Sequence, residues 1–93
     1  MTSVRLVGPS GNGPGLPGDD VTELLWLHVV AESGIDHIHS RVAPGVVEIV
    51  FFYVTQDDHR NLRTALDICE RTIASTPVFT GWRSHPGELP PFT

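Results

Sequence analysis

The chain has no lysine; its six cations are all arginines, set against eleven carboxylates, for a net charge of −5. A nucleic-acid backbone or an anionic membrane needs clustered cations. Arg5, Arg41, Arg60, Arg63, Arg71 and Arg83 are scattered along the sequence, so neither is expected as the main partner. Cysteine is nearly absent. With Cys69 alone, no intramolecular disulfide and no multi-cysteine metal site is possible, and a reducing compartment is the simplest reading. No apolar run approaches the roughly 18 residues of a membrane span. The opening "MTSVRLVGPSG" has no long apolar core of the signal-peptide kind. A soluble, cytoplasmic protein is expected. Charge of either sign is scarce: 18 % of residues, against the usual roughly 25 %.

Catalytic signatures are missing as well. "GPSGNGPGLPG", Gly8 to Gly18, packs five glycines and three prolines into eleven residues. It has neither a Gly-Lys-Ser/Thr ending nor the dinucleotide spacing, and its prolines lack the N–H donors a phosphate loop needs. It reads as a mobile connector. No Gly-x-Ser-x-Gly element occurs, and no Ser/His/Asp arrangement stands out. No cofactor is expected.

What remains fits one small domain, residues 1–83. Val4–Val7 alternates as a strand does. Asp20 and Glu23 resemble a capping box opening a helix from about Val21 to Ser33, with Gly34 as its stop. Val21, Leu24, Leu25, Leu27, His28 and Ala31 would share its core face. Trp26 and Val30 fall on the opposite side, where a small monomer should be polar, so this patch is a candidate interface. Ile35–Val42 and Val46–Thr55 read as a hairpin around "APGV", preferably through a four-residue loop, Ala43 to Val46, which keeps the register of a turn that leaves Ala43 opposite Val46. A second helix begins at Asp57–Asp58 and buries Leu62, Ala65, Leu66, Cys69 and Ile73, with Pro77 ending it. Val78–Arg83 is expected as the last strand, and residues 84–93 as a Pro-rich tail outside the core.

The order β-α-β-β-α-β implies an α+β, ferredoxin-like sandwich: a four-stranded sheet with two helices on one face. It resembles, in architecture alone, small dimeric monooxygenases and isomerases of that type. In the preferred register Ile38, Val42, Val47, Ile49, Phe51 and Tyr53 face the helices. His37, His39 and Arg41 share the other face with Glu48, Val50, Phe52 and Val54. Arg41 lies across from Glu48, a pair worth up to about 1 kcal/mol. Trp82 would extend this face. So apolar an open face is expected to be covered.

Three readings of the histidines stay open. They are edge-strand side chains satisfied by water or Glu48, polar groups of a ligand pocket with Arg41 holding an anion, or metal ligands. The last lacks the third and fourth protein ligands that zinc usually takes, so no metal is expected. The function expected first is a non-enzymatic protein–protein interaction or regulatory module. It would associate with a protein partner or with itself, as a dimer, through the open sheet face (Val50, Phe52, Trp82), the Trp26/Val30 patch, or both. The alternative is a small dimeric enzyme or ligand binder using His37, His39 and Arg41, with Glu48 beside them.

Overall fold

The computed structural model describes residues 1–9 and 15–87; 10–14 of the Gly/Pro-rich stretch and 88–93 of the tail lie outside the described residues. The fold is α+β, with a four-stranded antiparallel sheet and two helices. Along the chain come β1 (Thr2–Val7), α1 (Gly18–Trp26), a 3-10 turn (Ala31–Ser33), β2 (Ile35–Ala43) and β3 (Val46–Tyr53). Then follow α2 (Asp58–Ser75), a second 3-10 turn (Pro77–Phe79) and β4 (Arg83–Pro86). The strand order is β2-β3-β1-β4.

Strand alternation divides the sheet into two faces. Val4, Leu6, Ile38, Val47, Ile49 and Phe51 are buried against Val21 and Leu25 of α1 and Ala65, Ile68 and Cys69 of α2. Both helices therefore pack on the same face. The hairpin register is the expected one, with Ala43 opposite Val46, Arg41 opposite Glu48 and Ile38 opposite Phe51. Its connection is tighter than expected, a two-residue Pro44–Gly45 turn. Gly45 takes a left-handed φ of 74°, which relieves the turn, and its carbonyl accepts from the Gly8 N–H at 2.9 Å. The register slips once, between Ile35 and His37, so Ile35 faces Tyr53 and not Val54. This bulge leaves Asp36 as the extra residue.

Three boundaries differ from the sequence reading. α1 ends at Trp26, and Val30 is already extended (φ −103°, ψ 153°). The β-branched pair Val29–Val30 is poor helix material, and no basic residue supports the last turn. Leu27 and Ala31, expected in the core, are exposed as a result. Gly34 closes the following 3-10 turn with φ 76°. The Asp20/Glu23 box does not form; Pro17 is the N-cap with no side-chain hydrogen bond, and Asp19 and Asp20 sit in the first turn. The third difference is β4. Pro77 starts a 3-10 turn, Thr80 Oγ1 donates back to Pro77 O, and Gly81 turns the chain at φ 86°. Pairing with β1 therefore begins only at Arg83, and Ser84–Pro86, read above as tail, belong to the sheet.

α2 begins where expected, with Asp57 accepting from the Arg60 N–H at 3.0 Å. Its buried stripe is turned by about one position. Asn61, Ala65, Ile68, Cys69 and Thr72 are buried, while Leu62, Leu66 and Ile73 flank them. Asn61 Nδ2 donates to Thr55 O at 3.0 Å and Thr72 Oγ1 to Ile68 O at 2.9 Å, while the buried Asn61 Oδ1 has no partner among the described residues.

Two protons are held in this core. Burial pushes the Tyr53 phenol from 10.0 to about 12, with Cys69 adding to the rise and Arg60 opposing it; its hydroxyl donates to Asn61 O at 2.9 Å. Burial, then Glu70, also raises the Cys69 thiol above its ordinary 9.0. The folded state keeps both protons and the unfolded chain releases them. Stability is thus fully present below pH 9 and falls as pH climbs past 9 and then 10. Urea midpoints from pH 7 upward are expected to show this fall, and the Tyr53→Phe/Cys69→Ala double variant to flatten it. An equal alkaline fall in the double variant would assign the loss to other groups.

Candidate interaction surface

The face of the sheet turned away from both helices is built in transverse rows by the pairing register. One row is Arg41, Glu48, Arg5 and His85; the next is Ala43, Val46, Val7 and Arg83; a third starts His39, Val50, Ser3. His37 lies opposite Phe52, their ring centroids 5.7 Å apart and tilted by 42°. Cross-strand partners share a face, so β2 contributes a ladder of His37, His39 and Arg41 along one margin. Arg83 and His85 of β4 stand along the other. Between them run Phe52, Val50, Val46 and Val7, with Phe52 still 37 % exposed. The result is an apolar surface crossed by the Arg5–Glu48 row, with Arg41 at one margin and Arg83 at the other.

Charge is segregated here in a way the linear sequence conceals. Three of the six arginines, Arg5, Arg41 and Arg83, lie in the paired rows of this face together with Glu48. Those four residues sum to +2, in a chain of −5. Three of the five histidines are there too.

The pair expected between Arg41 and Glu48 is displaced. The two are opposite on the backbone, but Glu48 Oε2 is held by Arg5 Nη2 at 3.2 Å, from the strand on its other side. Both partners are substantially exposed, so the pair is worth at most about 1 kcal/mol. Its effect is to neutralise Glu48 and leave Arg41 without an ion pair among the described residues.

Trp82 is not on this face. It is 8 % exposed and packs edge-on against Phe79, centroids 5.4 Å apart at 85°, as part of the core cluster. It precedes β4 and does not lie in it, so strand alternation does not govern its direction. Arg5, Arg83 and His85 take the place on the sheet face that the sequence reading assigned to Trp82. Nothing in sequence spacing points to them, because β1 and β4 are about eighty residues apart and meet only by pairing.

Trp26 and Val30 are exposed, but not as one helix face: Trp26 is the last residue of α1, and Leu27 and Val30 lie past it. Trp26 is 39 % exposed, Val30 51 % and Leu27 77 %. Glu23 and Glu32 are exposed nearby in sequence. Beside it, an open groove of about 750 Å³ separates the Val30–Ser33 segment from α2 and is lined in part by Arg60, Arg63, Asp67 and Glu70. Arg60 Nη2 donates across it to Glu32 O at 2.9 Å. A second open depression, about 460 Å³, lies between α2 and β4 beside Trp82 and His85. Neither is lined by His37, His39 or Arg41. Among the described residues, no three His, Cys, Asp or Glu side chains are grouped to hold a metal ion, and no helix is long and apolar enough to cross a membrane.

No protein-family model matches the chain, and comparison with curated proteins and with solved structures gives no match.

Proposed function

We propose that this chain is a protein-interaction module without chemistry of its own, which docks through the open sheet face onto an acidic protein surface. We read its architecture as ferredoxin-like, a reading supported by the strand order and by two helices on one face. The observation that carries the functional proposal is the partly exposed apolar set Val7, Val46, Val50 and Phe52 on one face with Arg5, Arg41 and Arg83, in a chain of net charge −5. Burying such a set is favourable by about 25 cal/mol per Å², and the cations beside it choose the partner's charge. In this reading His37 and His39 are rim groups. The enzymatic alternative would need two copies packed sheet to sheet to enclose an apolar cavity beside them; the two grooves of the single chain are lined by other residues. A nucleic-acid strand is disfavoured because Glu48 interrupts the cations and, among the described residues, Phe52 is the one Phe, Tyr or Trp in the paired rows of the face.

Quantitative capture from the source cell's extract tests this. Wild-type chain is expected to retain a species that Arg5→Glu/Arg41→Glu loses by tenfold or more, that rising salt releases, and that nuclease leaves in place. His37→Ala/His39→Ala should retain it. Capture indifferent to the arginine reversals, or removed by nuclease, refutes the proposal.

A further inference from the structure

We propose that the connection between α1 and β2, Leu27–Gly34, is a strap laid along α2 and latched to it at both ends, able to open while the sheet and both helices stay folded. The proposal goes beyond the sheet face and does not depend on what docks there.

The latches are two side-chain hydrogen bonds. At the last residue of α2, Ser75 Oγ lies 3.1 Å from His28 Nε2. The Ser75 hydroxyl spends its one proton on α2 itself, donating to Arg71 O at 2.9 Å, so its oxygen accepts and His28 Nε2 is the donor. Near the start of α2, Arg60 Nη2 donates to Glu32 O at 2.9 Å. Arg60 and Ser75 are fifteen residues apart, about 22 Å along the helix axis. The strap thus runs beside most of α2. Among the described residues, these two bonds are the hydrogen bonds that tie it there, and both are exposed. Water competes for such bonds at little net cost.

Little else holds the middle of the strap. Val29 packs against the core and Ser33 is 4 % exposed, so these two residues root it. Val30, Ala31 and Glu32, between the roots, are exposed. The open groove of about 750 Å³ separates them from α2, so no packed neighbour resists movement on that side. Gly34, at φ 76°, supplies a joint at the β2 end. Few buried apolar contacts and exposed hydrogen bonds mark a segment that opens at a lower free energy than the whole domain unfolds. Arg60 is the clasp. Its release frees its guanidinium beside Arg63 and widens the groove that both line.

Amide hydrogen exchange, read residue by residue by NMR, tests this. Val29 and Ser33 are the reporters. Their N–H groups are bonded within this stretch, to Trp26 O at 3.2 Å and Val30 O at 3.0 Å, and exchange when it opens. In the wild type their protection factors are expected to lie at least a hundredfold below those of β3. His28→Ala/Arg60→Ala should lower both by a further tenfold or more and leave β3 unchanged. Glu32→Ala should change neither, because Arg60 is bonded to the main-chain oxygen. Should the double variant fail to fold, judged by urea unfolding, Arg60→Ala alone is read at Ser33. Reporters as protected as β3 would make the strap part of the global folding unit and overturn the proposal. Latch variants that leave Val29 and Ser33 as protected as in the wild type overturn it too, as does Glu32→Ala with the same effect as Arg60→Ala.

Discussion

Phe51→Ala is expected to cost about 3–5 kcal/mol of folding stability, and Phe52→Ala less than about 1. The two residues are adjacent on the central strand β3 and chemically identical. Phe51 is fully buried between the sheet and the helices, beside Tyr53 at a ring-centroid distance of 6.4 Å. Truncating it removes its transfer free energy and leaves a cavity that close-packed neighbours cannot fill. For 93 residues the whole stability is of the order of 5–14 kcal/mol. The change therefore consumes a large part of it. Phe52 points to the other face, where its ring lies beside His37 and remains partly in water. The urea midpoint should fall by more than about 1 M for Phe51→Ala. For Phe52→Ala it should hardly move, while binding through the sheet face weakens. Equal losses of stability would mean that β3 is not in the register described.

Gly18→Ala should destabilise by about 1–3 kcal/mol, even though alanine is the better helix former by up to about 1 kcal/mol. Gly18 is the first residue of α1, and the helix start lies directly on β2. A Cβ at this position would come within 2.6 Å of the Ser40 carbonyl oxygen and 3.4 Å of its carbon. The obstacle is backbone in the sheet, which cannot swing aside as a side chain can. Next to it Thr22 Oγ1 donates to Ser40 Oγ at 2.8 Å, fixing the same approach. Thermal unfolding of Gly18→Ala beside Gly15→Ala makes the comparison. Gly15 meets nothing within 4 Å, so its loss is limited to the strain of φ 77°. A Gly18→Ala variant as stable as the wild type would remove the close contact between α1 and β2.

Gly18 also marks what was legible. Its stretch reads as a connector because composition shows only what a segment cannot form. Which glycine must lie against a carbonyl depends on where α1 lands. The same holds at Gly8, where an added Cβ would come within 2.7 Å of the Trp82 ring.

The candidate site divides along similar lines. His37, His39, Arg41, Glu48, Val50 and Phe52 were readable as one face, because a hairpin is local and its alternation has a period of two. Arg5, Arg83 and His85 were not, because they join that face only through β1 pairing with β3 and β4. The partner of Glu48 changed for the same reason. Two strands offer it Arg41, and a third offers it Arg5.

By itself, then, the sequence determined the order of elements, the hairpin register and the core-facing side of β3. Each is a matter of periodicity or turn chemistry within about twenty residues. Only the tertiary structure decided where α1 stops, that Trp82 enters the core, that Ser84–Pro86 complete the sheet, and that three scattered arginines gather on its open face. Those outcomes depend on which distant segments meet. Strand pairing and packing set that, and no local pattern encodes it.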